Sequence, residues 1–134
     1  KLPEIEANPT QIKQLFSNLL SNALKFKSKN QTPLINITCS EKKANQKNAI
    51  YPNLKTDSYL IEIRDNGIGF EQEYAEKIFL MFQRLNGKAE YSGSGVGLAI
   101  CKKIIDNHHG LIFANSIVNK GSVFTLILPK KQVR

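Results

Sequence analysis

Apolar residues first recur with a helical period near the start of the chain: Ile12, Leu15, Phe16, Leu19, Leu20, Ala23 and Phe26 stand three and four apart. That spacing gathers them on one face of a helix, expected over about 10–27, with Pro9 and Thr10 at its start and Thr10 as cap. The period then shortens to two. "PLINITCS" and "SYLIEIRD" alternate and are rich in β-branched residues, which predicts two strands. Between them "EKKANQKNAIYPNLKTD", residues 41–57, is polar and without period, as a long hairpin connection or an insertion would be. A short helix is expected over 72–82, with Tyr74, Ala75, Ile78, Phe79 and Phe82 as its apolar positions. "QRLNGKAEYSGSG" loses that period and gains glycine, serine and charge, the composition of a mobile loop. A last helix is expected over 96–109 on Leu98, Ile100, Cys101, Ile104 and Ile105, ending at His108 and His109 and stopped by Gly110. "LIFANSIV" and "SVFTLILP" close the chain as strands joined around "NKG". Helices and strands mix without regular βαβ alternation, which favours an α+β sandwich over a doubly wound sheet.

Composition narrows this picture. A chain of 134 residues with 41% hydrophobic and 22% charged residues suits one domain, spanning 1–134, with a single core. It begins at Lys1 inside a segment that already reads as structured, so it is expected to be an excerpt of something longer. No apolar run approaches the roughly 18–20 residues that cross a bilayer, so no membrane contact is expected of this segment. Cys39 and Cys101 lie far apart without CxxC spacing and are expected to be free, buried thiols of a reducing compartment. The formal charge of +8 invites a polyanionic partner. Yet the basic residues are dispersed, at Lys25, Lys27 and Lys29, at Lys42, Lys43 and Lys47, at Lys102 and Lys103, and in the tail. Such spreading is that of a solvated surface rather than a nucleic-acid stripe, and no nucleic acid is expected as partner.

Four stretches carry candidate chemistry. On the first helix, at about 100° per residue, Gln14, Asn18, Asn22 and Lys25 form a stripe bordering the apolar face. Amide oxygens can coordinate Mg²⁺ and Lys can meet phosphate oxygens, although a solvated flank would read the same way. In "RDNGIGF" a strand delivers Asp65 at a turn, and Gly67 and Gly69 remove side chains where a ligand or another stretch of backbone must come close. A carboxylate there can accept from an exocyclic amine such as that of adenine. In "SGSGVGLAI" Gly93, Gly95 and Gly97 lead into a helix, where backbone N–H groups and the helix dipole favour a phosphate. The spacing is neither that of a P-loop nor that of a Rossmann turn. In "IFLMFQRL" Phe79 and Phe82 suit core anchors beside the loop, and Arg84 either faces solvent or swings onto a terminal phosphate.

Taken together and in this order, "NLLSNALKF", "DNGIGF", "IFLMFQRL" and "GSGVGLAI" closely resemble the N, G1, F and G2 boxes of the catalytic ATP-binding domain of sensor histidine kinases. That domain belongs to the superfamily of the gyrase, ninety-kilodalton heat-shock and MutL ATPases. The resemblance implies a Bergerat-type two-layer α/β sandwich, a mixed sheet of about five strands on about three helices, with ATP and Mg²⁺ as cofactors. It implies that Asn22 ligates Mg²⁺, that Lys25 contacts phosphate, that Asp65 reads the adenine amino group, and that Arg84 stabilises charge on the γ-phosphoryl. Asn18 stands where hydrolytic relatives carry a Glu base. Gly93, Gly95 and Gly97, with Leu98, would serve the phosphates, Phe26 and Phe82 would lie beside the nucleotide, Gly67 and Gly69 would shape its pocket, and Ser122 would lie near adenine. The implied partners are a histidine-bearing dimerisation domain preceding this one and the receiver domain of a response regulator, in the cytoplasm, whether or not the parent protein is anchored in a membrane. A non-catalytic nucleotide-sensing or scaffold module is the alternative. His108 and His109, the only histidines, read as solvent-facing residues matched to a helix dipole rather than phosphoacceptors. Relatives often carry His-Gly-Gly here.

Overall fold

A computed structural model of the chain describes residues 6–43, 56–79 and 97–131. The first helix, α1, spans Pro9–Lys25. Its cap is Asn8 rather than Thr10: the Asn8 side chain accepts from the Gln11 N–H at 3.1 Å, and Pro9 takes the first helical position, where its missing donor costs nothing. Leu15, Leu19 and Ala23 are its buried residues.

Four strands form the sheet: β1 (Ile35–Lys42), β2 (Ser58–Asp65), β3 (Leu111–Ile117) and β4 (Gly121–Pro129). Their order is β1-β2-β4-β3 and every neighbouring pair is antiparallel. About five strands in a mixed sheet were expected; the described residues hold four, paired without a parallel neighbour. Alternation decides which face is covered. Ile61 and Ile112 flank Leu126, and Ile63 and Ala114 flank Phe124, so one face offers a continuous apolar layer. Leu15 and Leu19 of α1 and Cys101, Ile104 and Ile105 of the second helix, α2 (Gly97–Asn107), close over it. This is the α+β sandwich the pattern predicts.

The long polar segment does join a hairpin, since β1 and β2 pair, but β1 runs on through Glu41 and Lys42, which the sequence reading placed in the connection. Over 72–79 the expected helix is instead two 3₁₀ turns, Gln72–Tyr74 and Lys77–Phe79; residues 80–82 lie outside the described residues. Tertiary anchors override the helical period here. Gln72 spends its amide on β3, and the Phe79 ring meets Phe124 edge-on at 6.2 Å between centroids.

Two side chains, Cys39 and His108, are placed otherwise than expected, while Cys101 is buried as expected. Cys39 is exposed, because β1 is an edge strand and only Ile35 of it packs against the core. Cys101 is fully buried, and burial pushes its thiol up to about 12. His108 is not solvent-facing; it is 4% exposed. Its Nδ1 lies 2.8 Å from the Ile104 carbonyl, which can only accept, and its Nε2 takes the Asn8 N–H at 3.0 Å. Those partners assign a neutral ring with the proton on Nδ1, so the residue joins the end of α2 to the cap of α1. His109 follows in the left-handed region, φ 59°, and the His109 and Gly110 N–H groups bond back to the Asp106 and Ile105 carbonyls. This is a Schellman cap with histidine where glycine is preferred.

Two outcomes follow from these placements. His109→Gly should stabilise the chain by about 1 kcal/mol, read from the denaturation midpoint, because it relieves a left-handed side chain. In the native chain a thiol reagent should label Cys39 and leave Cys101 untouched until denaturant is added, as peptide mass spectrometry would show.

Candidate functional site

Asn18, Asn22 and Phe26 stand four apart on α1 and its C-cap, so they share one face over about 12 Å of helix. Each end of that face meets another element. The Asn18 side chain donates to the carbonyl of Gly97, the first residue of α2, at 3.4 Å. The Phe26 carbonyl accepts from the Ile68 N–H at 2.9 Å, in the turn after β2. Asn8 meets His108 while Asn18 meets Gly97, so the two helices run antiparallel and the first turn of α2, whose N–H groups have no partner within the helix, lies beside Asn18. Asn18, Asn22 and Phe26 are half-buried and Lys25 is exposed. Among the described residues a Cβ on Gly97 would meet nothing within 4 Å, while Leu98 beside it packs on the core.

The other end is the turn Asp65–Gly69. Asp65 is the last residue of β2, and its carboxylate accepts from the Gly67 N–H at 2.8 Å and from the Ser122 backbone. Burial raises its pKa above the usual carboxylate value, and the two backbone bonds work against that shift by favouring the charged form. The glycines answer the choice left open by the sequence. A side chain on Gly67 would strike the Phe26 carbonyl, and one on Gly69, at φ 66°, would strike the carbonyl of Ile117. Both are needed for close backbone approach. Gly121, at φ 123°, lies against the Asp65 carbonyl for the same reason.

The sequence reading missed three residues that hold this turn. Asn66 accepts from the Leu34 N–H at 2.9 Å and donates to the Thr32 carbonyl at 3.0 Å, pinning the segment that enters β1. Gln72 accepts from the Ser116 N–H at 2.8 Å and reaches the Ala114 carbonyl at 3.3 Å, occupying the free edge of β3. Ser116 bonds the Phe70 N–H and the Ser122 hydroxyl. Only Asn66, inside "DNG", carried a sequence signal. Ser122 itself is the ladder partner of Asp65. Phe82, Arg84, Gly93 and Gly95 lie outside the described residues. Among the described residues no group of three or more His, Cys, Asp and Glu side chains stands ready to hold a metal.

A family model described as histidine kinase-, DNA gyrase B- and HSP90-like ATPase matches residues 7–132. The chain belongs to this family. Within it, the sequence is 30% identical to the solved catalytic domain of histidine kinase ThkA, covering 96% of this chain and 73% of that one with a TM-score of 0.68. Membership therefore narrows to the catalytic ATP-binding domains of histidine kinases. Cyanobacterial phytochrome A of Nostoc sp. (strain PCC 7120) is 41% identical over 128 residues, 96% of this chain and 15% of that protein. Full-length ShkA, solved in complex with AMPPNP, shares the fold at a TM-score of 0.74 and 21% identity, covering 98% of this chain and 24% of that one. The chain thus spans a small part of the curated relative's length. Among the described residues no helix is long and apolar enough to cross a membrane.

In this histidine kinase domain the glycine turn is tested by Gly69→Ala. It should destabilise the chain by about 2 kcal/mol or more, through a left-handed alanine pressed on a carbonyl, with a matching fall in the urea midpoint.

Proposed function

We propose that the chain is one catalytic domain that binds MgATP and, within a longer protein, passes the γ-phosphoryl to a histidine of a dimerisation domain, for relay to a receiver-domain aspartate. The observation that carries this reading is the placement of the half-buried Asp65 carboxylate at one end of the α1 stripe and of the first turn of α2 at the other. The separation of about 12 Å along α1 suits a base at one end and a phosphate chain at the other. Asp65 accepts from the adenine amino group, and a keto group there would leave two acceptors facing each other. The first-turn N–H groups of α2, with Lys25, receive the phosphates. The Asn22 amide oxygen, half-exposed midway along the stripe, suits Mg²⁺, which takes few protein oxygens and completes its shell with phosphate and water. When bound, Mg²⁺ neutralises charge on the phosphate oxygens.

Asn18 fits a histidine acceptor. A neutral imidazole nitrogen attacks phosphorus with its own lone pair, the P–N bond forms as the bond from phosphorus to the β,γ-bridging oxygen breaks, and the ring proton goes to solvent. No base is required of Asn18, and an amide cannot supply one. Arg84 is the proposed partner of the γ-phosphoryl charge, and the loop from Phe82 through Gly93 and Gly95 the proposed lid. The domain works in the cytoplasm without contact to nucleic acid or membrane, and alone it binds nucleotide and phosphorylates little.

Calorimetric titration with ATP and GTP, each with and without Mg²⁺, tests the reading: ATP-selective, Mg²⁺-assisted binding is expected, and binding of neither nucleotide refutes it. Asp65→Asn should cost about tenfold or more in ATP affinity with the circular dichroism unchanged. Asn22→Ala should abolish the gain that Mg²⁺ brings. Because burial raises the Asp65 pKa and the ionised group is the stronger acceptor and carries no competing proton, ATP affinity should decline on acidification from a higher pH than an ordinary carboxylate would give. The stability term runs the other way: the folded state holds this proton to higher pH than the unfolded chain, so Asp65 detracts from stability as pH rises through its raised pKa.

A further inference from the structure

The Ser116 hydroxyl, buried at the end of the inward-facing row of β3, touches three partners. It lies 2.8 Å from the Phe70 nitrogen, 2.9 Å from the Gly121 carbonyl oxygen and 2.9 Å from the Ser122 hydroxyl. A serine hydroxyl has one proton and two lone pairs. The Gly121 carbonyl can only accept, so it receives the Ser116 proton. The Phe70 N–H can only donate, so it occupies one lone pair. The one remaining lone pair faces Ser122, which must therefore donate. The only proton of Ser122 is thus turned away from the pocket, and Ser122 offers lone pairs to whatever lies beside it.

Ser122 is also directly across the ladder from Asp65. Ladder partners share a face with Cβ atoms about 5 Å apart. An amino group making two hydrogen bonds of about 2.9 Å, splayed at about 120°, spans acceptors about 5 Å apart. We propose that Ser116 is a positioning residue for base selectivity: by holding Ser122 as an acceptor beside Asp65, it builds a two-acceptor edge that takes an exocyclic amine and refuses a keto oxygen. An isolated serine would turn its proton to suit either group. Ser116 removes that freedom, and is itself fixed, since its N–H is held by Gln72. The inference rests on the nucleotide-binding reading above.

The test is calorimetry of the full chain with ATP and with inosine triphosphate, whose base carries a keto group in place of the amine. Ser116→Ala frees the Ser122 proton, and the preference for ATP over inosine triphosphate should fall about tenfold, mainly through tighter binding of the keto nucleotide. Ser116→Thr, which keeps the hydroxyl, should restore it. Should Ser116→Ala fail to fold, Ser122→Ala decides: loss of an acceptor lowers the preference, whereas a raised preference would show that Ser122 had been donating to the keto group. A Ser116→Ala chain that binds both nucleotides more weakly but in the wild-type ratio overturns this inference alone. A wild-type chain that binds neither overturns the nucleotide reading as well.

Discussion

The peptide groups of Ile68 fasten the two halves of the site together. Its N–H is taken by Phe26 at the end of α1, and its carbonyl takes the Asn119 N–H at 2.7 Å from the β3–β4 turn. One residue therefore uses both of its backbone groups to join a helix end to a hairpin, and neither bond forms unless the flanking residues let backbone meet backbone. Gly67 and Gly69 supply that access on one side, Gly121 on the other, and Asn119, at φ 66°, aims its N–H inward. The position of Asp65 is a consequence. It sits at the strand end where this junction begins, so its carboxylate is oriented by the junction rather than by its own rotamer alone.

The opposite end of the site is set by how α2 lies on α1. His108 bonds the cap of α1, Cys101 Sγ lies 3.7 Å from the Leu15 carbonyl, and Asn18 reaches Gly97, so the helices are tied at three levels. Since they run antiparallel, the end of α2 whose dipole favours anions falls beside the amides of α1 and not beside Asp65. Acceptor chemistry and anion chemistry are thus kept at separate ends of one helix face. That separation is what a ligand with an amine at one end and phosphates at the other requires.

The elements with their own periodic signal were legible in the sequence. β2 spans Ser58–Asp65 as its alternation predicts, and α2 ends before Gly110. Four boxes in order located the family, and two of them carry a local signal that the structure bears out, the glycine turn after Asp65 and the helix that starts at Gly97. What the sequence hid depends on partners distant along the chain. Thr10 was read as the cap, whereas Asn8 caps α1 through the Gln11 N–H and has its own N–H held by His108, a hundred residues away. His108 looked like a surface residue for the same reason. Residues 72–79 have a helical period, yet Gln72 is claimed by β3 and Phe79 by Phe124, and the helix gives way to two tight turns. Glycine within "DNGIGF" pointed to close approach without naming the partner, which among the described residues is backbone. The role proposed for Ser116 has no local signature, because it depends on Phe70, 46 residues away, together with Gly121 and Ser122 across the β3–β4 turn.

The charge distribution follows the same division. In a chain of net charge +8, every described ion pair lies away from the turn: Glu41 with Lys43 and Lys130, Asp57 with Lys43, Glu62 with Arg64, and Asp106 with Lys102. Among the described residues Asp65 is bonded by backbone N–H groups, which leaves it more costly to ionise than a salt-bridged carboxylate. A lysine at that place would lower the cost, but it would occupy the lone pairs that must receive a ligand and would present donors to a keto base. Two fixed backbone donors do neither. They hold the carboxylate in place while leaving acceptor capacity free, because an ionised carboxylate has about four lone-pair sites. On the proposed reading, the raised pKa of Asp65 is the electrostatic counterpart of base selectivity: a carboxylate held by backbone donors, with acceptor capacity left for a donor that the ligand supplies.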